Sequence, residues 1–359
     1  MTKRPNFLFI MTDQQRSDWM SCAGHPVLKT PNIDAIAANG VRFENFHATS
    51  PVCMPNRASF MTGRYPTTHG LRSNGCFLPL RANTFVDVLA ASGYHTAAIG
   101  KSHLQPMTGL PPFDEGHPET GPVAEAWRND IGDYEQEEPD QYRGETPYEI
   151  QLPYYGYQHI DMVTEHGDRC GGHYGQWFRQ KAPNWRELHD AANELPHNYS
   201  CPQAYRTPVP EALYPTAYIK DRAVDYLQGR ATNDQPFFAF VSFPDPHHPF
   251  TPPGRYWDMY DPDDFEVRLP HDAHRNPPMP LGCCVKAALA GQEPRTPQTG
   301  FALLDQRAIK EAMALSAGML TMIDDAVGDL IQALKDSGRY EDTVICFNSD
   351  HGDYMGDFN

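Results

Sequence analysis

Four short apolar runs constrain what this chain can fold into, because each one ends abruptly in a polar cluster and the four lie far apart. Asn6 to Met11 leads to Asp13, and Thr96 to Ile99 leads into Gly100-Lys101-Ser102-His103. Pro236 to Phe243 runs into Asp245-Pro246-His247-His248, and Thr343 to Phe347 into Asn348-Ser349-Asp350-His351-Gly352-Asp353. A continuous apolar run of this length reads as a strand buried on both faces of a parallel sheet. Helix punctuation falls between the runs: Thr30-Pro31 to Gly40, Thr84 to Gly93, Thr216 to Gly229, and an amphipathic pattern from about Leu304 to Leu334. The expectation is an α/β fold, a mostly parallel central sheet flanked by helices. Open sheets of this class place their sites beyond the carboxyl ends of the strands, so the four clusters can converge. A single Asp at a strand end is more often a cap or a turn; four such clusters point to a site.

The rhythm breaks between residues 105 and 210, where Pro, Tyr, Glu and Gly dominate, and again over about 244–300. The first stretch is longer than an ordinary connection and reads as an insertion in a single domain spanning 1–359, shaping a pocket or a partner interface. Exposed Pro-rich insertions also suggest a homo-oligomer. The formal charge of −17 argues against nucleic acid as a partner. No window approaches the roughly 18 apolar residues of a membrane span, so no membrane partner is expected. The N-terminal apolar run is too short for a signal-peptide core, which gives a cytoplasmic expectation. The eight cysteines show no paired CxxC spacing, so neither a disulfide framework nor a structural zinc site is suggested.

One cysteine stands apart. Cys53, in Pro51-Val52-Cys53-Met54-Pro55-Asn56-Arg57, enters a helix whose N-terminal dipole favours negative charge, and Arg57 adds a cation one turn later. The bland reading of an isolated Cys here is a small buried hydrophobe.

The segment Cys53-Met54-Pro55-Asn56-Arg57, continued by ASFMTGRYP, resembles the CxPxR signature of the formylglycine-dependent sulfatases of the alkaline phosphatase superfamily, which include arylsulfatases. MTDQQR at the first strand, Lys101 and His103 in GKSH, the PH of PDPHHPF and SDHGD near the end follow in that family's order. The resemblance implies a hydrolase of small sulfate monoesters in which a maturation enzyme oxidises Cys53 to formylglycine. It further implies that Asp13, Gln14, Asp350 and His351 hold one divalent metal ion beside the modified Cys53. Calcium is the first choice by analogy, and a ligating imidazole moves the site towards manganese. Arg57 and Lys101 would stabilise the nucleophile and the bound anion, His103 would help release sulfate, and His247 would bind the substrate or protonate its leaving group.

Several positions stay open. His248 is a weaker substrate-binding candidate than His247. Asn74, in GLRSNG, resembles an active-site asparagine of the superfamily, yet Asn-Gly is equally a turn signal. Gln14 stands where many sulfatases have Asp and where phosphonate monoester hydrolases and choline sulfatases have Gln. That makes hydrolysis of phosphonate monoesters or phosphodiesters the nearest alternative. A non-catalytic binding protein on the same fold is the rival of a different class. Family members also continue past the Asp-His-Gly segment to an active-site lysine and a smaller C-terminal region, so that cation is expected outside the 359 residues.

Overall fold

The computed structural model describes residues 4–108, 132–273, 276, 279, 281–291 and 305–357. Its centre is a sheet of five strands: β1 (Asn6–Thr12), β2 (His95–Gly100), β3 (His159–Met162), β4 (Phe237–Ser242) and β5 (Thr343–Ser349). The order is β3-β2-β4-β1-β5, and every pairing is parallel. All four apolar runs are strands. The strand β3 lies inside the segment that the sequence suggests is an insertion, and it forms an edge of the sheet.

Side-chain alternation along the strands creates two cores. On β4, Phe237, Ala239 and Val241 face one side, where they pack with Leu8, Ile10 and Ile99 against the helices Pro31–Ala38, Gly172–Lys181, Pro215–Gly229 and Gln306–Asp336. Phe238 and Phe240 face the other side with Met11 and Ala98, against Met54, Ala58 and Met61 of the helix Cys53–Thr62 and Val86 of Phe85–Ala91. All six residues of β4 are buried, as a strand covered on both faces requires. Each large apolar side chain enclosed in this way contributes about 1.5–3 kcal/mol.

The helix starts show local rules working at one place and replaced at another. Thr84 caps its helix as its sequence suggests: its hydroxyl accepts from the Asp87 N–H while the Asp87 carboxylate accepts from the Thr84 N–H. Thr30 does not cap Pro31–Ala38 with its side chain. Asp324, from the long helix Gln306–Asp336, accepts instead from the N–H of Ile33 at 2.8 Å and of Asn32 at 3.2 Å. A distant carboxylate thus satisfies the orphan amides that a local hydroxyl would otherwise meet.

Gly100 ends β2 with φ +109°, and a Cβ there would lie 1.9 Å from the Ser242 carbonyl oxygen. Only glycine allows this approach, through which the Lys101 N–H reaches the same carbonyl at 2.9 Å. The ends of β2 and β4 are thereby clamped together where the polar clusters begin. Among the described residues, no helix is long and apolar enough to cross a membrane.

Candidate active site

Three parallel strands deliver the principal charges. Asp13 follows β1, Lys101 follows β2 and Asp350 follows β5. Backbone bonds fix their positions: the Asp13 N–H donates to Asp245 O at 3.1 Å and the Asp350 N–H to Thr12 O at 3.0 Å. Cys53 is the first residue of its helix and is buried beneath them. Its Sγ lies 3.1 Å from His351 Nε2 and 3.5 Å from Asp13 Oδ1.

Arg57, one turn further along that helix, binds the strand ends to one another. Its Nε donates to Asp350 Oδ2 at 2.8 Å and its Nη2 to Asp13 Oδ2 at 3.2 Å, while Nη1 reaches Lys101 O and Ser242 Oγ, each at 2.9 Å. Lys101 Nζ also donates to Asp13 Oδ2. Burial acts to raise the Asp13 carboxyl, but the surrounding charges of Lys101, His247, Arg57 and His351 override it and hold the group well below the usual carboxylate range.

The four groups Asp13, Cys53, Asp350 and His351 place one donor atom each within 4.8 Å of one another, all buried. His351 is oriented as a metal ligand would be. Its Nδ1 lies 2.8 Å from the Gly352 carbonyl and so carries a proton, which turns Nε2 towards Cys53 and the two carboxylates, where a metal ion would take the place of a second proton. Burial lowers the affinity of His351 for a proton, yet Asp350, Cys53 and Asp13 raise it further, so the same negative surroundings favour a cation at this ring edge. The residues present therefore fit a divalent metal. Gln14 lies alongside, its backbone N–H on Asp350 Oδ1 at 3.1 Å and its side-chain amide donating to Asp353. Its φ of +65° is a left-handed backbone that non-glycine residues rarely adopt, as found at sites that hold a side chain in one direction.

The sulfatase family model matches residues 5–359. This chain belongs to the sulfatase family. It is 31% identical to an arylsulfatase of Clostridium perfringens, over 99% of the chain and 64% of that protein. It is 30% identical to the uncharacterized sulfatase YidJ of Escherichia coli, over 99% of the chain and 58% of that protein. Among solved structures, the phosphonate monoester hydrolase of Agrobacterium radiobacter superimposes with a TM-score of 0.70 at 28% identity, over 99% of this chain and 64% of the other. The chain thus spans about six tenths of the length of these relatives.

The other positions singled out in this sulfatase-family sequence fall around the same centre. His103 is buried, with φ +57° and a side-chain Nδ1 that has no partner among the described residues. Burial, with Lys101 and Arg57 nearby, holds its imidazole well below the ordinary histidine range. His247 is buried and lies against His248 with ring centroids 4.1 Å apart and planes tilted by 31°. The two histidines differ in setting, since His248 Nδ1 lies 3.5 Å from the Gln14 side-chain nitrogen. Asn74 stands at a turn and meets the Cys53 helix. Gly75 after it adopts a left-handed turn, and Asn74 Oδ1 accepts from the Met54 N–H at 3.3 Å at the start of the Cys53 helix.

Two residues that the sequence does not reveal complete the surroundings. His166, four residues past β3, lies 2.6 Å from Lys101 Nζ through its Nε2. Glu137 is buried and accepts from the backbone N–H groups of His103 at 2.7 Å, Leu104 at 3.0 Å and Gln105 at 3.3 Å, and from the Tyr154 hydroxyl at 2.5 Å. It anchors the turn that presents Lys101 and His103. The one available signal for His166 was the short apolar Ile160-Asp161-Met162-Val163 stretch before it, which is weak beside the six- and seven-residue strands.

Proposed function

We propose that this chain hydrolyses sulfate monoesters with a formylglycine made from Cys53 by a maturation enzyme. The observation that carries the proposal is the position of Cys53: at a helix start, 3.1 Å from His351 and 3.5 Å from Asp13, with the Arg57 guanidinium behind both carboxylates. Asp13, Asp350, His351 and, beside them, Gln14 would hold a divalent metal, calcium before manganese on its carboxylate donors; with formylglycine it supplies an activated oxygen nucleophile.

The chain's own residues then do the following. Lys101 and the amide end of the Cys53 helix present positive potential to the ester's anionic oxygens, where charge grows in the transition state. Arg57 keeps both ligand carboxylates in place and prevents their mutual repulsion from opening the pocket. His103, whose Nδ1 has no partner among the described residues, would accept a proton as sulfate leaves. His247 is placed to bind the ester or to give a proton to the departing alcohol. His248 and Asn74 would help to bind the substrate.

Mass spectrometry of the Cys53 peptide, from protein produced with a maturation system, should show sulfur and two hydrogens replaced by one oxygen. The same material should release the alcohol from an aryl sulfate, and Cys53→Ala should not. Full turnover with every Cys53 still a thiol would overturn the proposal.

A second reading has its own support. Gln14 and the 0.70 TM-score to a phosphonate monoester hydrolase favour phosphonate monoesters or phosphodiesters at the same site. Parallel rates on an aryl sulfate and an aryl phosphonate monoester decide between the two, and the substrate with the larger kcat/KM identifies the function.

A further inference from the structure

We propose that His166 is a positioning residue that aims the Lys101 ammonium and steadies the His247 ring; the inference rests on the function proposed above. The contact with Lys101 at 2.6 Å has only one sense. An ammonium has donors alone, so His166 Nε2 accepts and its ring is neutral with the proton on Nδ1. Among the described residues Lys101 Nζ thus has two acceptors, Asp13 and His166, which leaves a third N–H to meet an anionic substrate. Without His166 a flexible lysine stem would hold the ammonium by a single acceptor and leave it free to swing about Asp13.

The second contact is between rings. His166 stacks on His247 with centroids 3.7 Å apart and planes 13° apart, and His247 Nδ1 lies 2.5 Å from His248 O. One face of His247 is covered and one nitrogen is engaged, so its remaining nitrogen has a fixed direction.

The loop that carries His166 is built to be rigid. Glu165 and Gly167, on either side, have φ of +63° and +59°. A Cβ at Gly167 would lie 3.0 Å from Thr251 Oγ1 and 3.1 Å from Pro249 Cγ, on the very loop that bears His247. The Asp168 N–H donates to Thr251 Oγ1 at 3.0 Å, and Thr207 donates to the Asp168 carboxylate at 2.8 Å. The β3 loop and the His247 loop are thus tied to each other. Asp13, His166 and His247 also place ligand atoms within 4.8 Å of one another, a geometry open to a transition metal, but the Lys101 ammonium already bridges two of the three.

The test separates the acceptor from the ring. His166→Phe keeps a ring and removes the acceptor, whereas His166→Gln offers a carbonyl oxygen to Lys101 and removes the stack. His166→Phe should lower kcat about tenfold to a hundredfold with little change in KM, the scale for a group displaced by about 1 Å. His166→Gln should restore the place of Lys101 and retain only the smaller loss that follows from an unstacked His247 ring, and His166→Phe should cost nothing further in a Lys101→Ala background. Crystal structures of wild type and His166→Phe should show the ammonium moved from its place between Asp13 and residue 166. That readout stands whether or not sulfate esters are turned over, so failure of the functional reading remains distinguishable. Full kcat in His166→Phe, equal losses in both variants, or an unmoved Lys101 would overturn the proposal. So would one zinc ion per chain in wild type that His166→Gln releases.

Discussion

Arg57 Nε meets Asp350 Oδ2 at 2.8 Å in a place closed to water, with the arginine 1% exposed and the aspartate fully enclosed. The same guanidinium reaches Asp13, so one side chain from the Cys53 helix holds the ends of β1 and β5 together. Removing one partner of a buried ion pair is costly because the remaining charge loses its compensation. Arg57→Ala is expected to lose about 3–5 kcal/mol of stability, read by urea unfolding, together with turnover. Arg57→Lys should retain part of the stability and little activity, since an ammonium cannot span four acceptors in a planar fork.

Glu137 makes a prediction at longer range. Burial pushes its carboxyl up, against the opposing effect of the Tyr154 hydroxyl and three backbone amides. Glu137→Gln would turn an amide NH2 towards backbone N–H donors, so the turn bearing Lys101 and His103 should loosen. The expected result is a loss of kcat of at least about tenfold with an intact fold by circular dichroism, the scale of a misplaced catalytic group. Tyr154→Phe, which removes one of four donors, should lose less.

The ligand set predicts metal dependence. Asp13→Asn and Asp350→Asn should each reduce metal content, measured by plasma mass spectrometry, to background while the chain stays folded. His351→Asn should bind more weakly and shift preference from manganese towards calcium, because an oxygen replaces a ring nitrogen. Retention of full metal content in Asp13→Asn would mean that the cation lies elsewhere.

His69 sets a stability limit in acid. The Leu71 N–H donates to its Nδ1 at 3.2 Å and its Nε2 lies 3.0 Å from Ser59 Oγ, which fixes a neutral ring with the proton on Nε2. Burial pushes its pKa down to about 4 from the ordinary 6.5, and His189 behaves alike. As pH falls from about 6.5 towards 4, the unfolded chain takes up these protons first, so stability drops across that window. Between pH 7 and pH 5 the urea midpoint of His69→Gln should rise relative to that of wild type, a difference that is unaffected by Asp245 and Glu165, whose carboxyls are pushed up to about 7 and act with the opposite sign in this window.

The amino-acid order alone determined the strands β1, β2, β4 and β5, the helix that begins at Cys53, and the polar clusters at the strand ends. These features are local: a fully apolar run, a cap residue or a Pro at a helix start acts within a few positions. The family was legible for the same reason, since Cys53 to Arg57 is one contiguous signature. Only the tertiary structure decided the roles of β3, His166, Glu137 and Asp324. The strand β3 is four residues long and His-Ile-Asp-Met carries half polar residues, as an edge strand tolerates, so its pattern does not stand out. Glu137 is one carboxylate within Tyr134-Glu135-Gln136-Glu137-Glu138-Pro139-Asp140, and nothing in its neighbours distinguishes it from the acids beside it. What sets it apart is that chain packing brings three backbone amides from residues 103–105 to its oxygens, a contact between segments some 30 positions apart. Partners of that kind are chosen by the path of the chain through space, which depends on how the whole sheet and its two layers of helices pack.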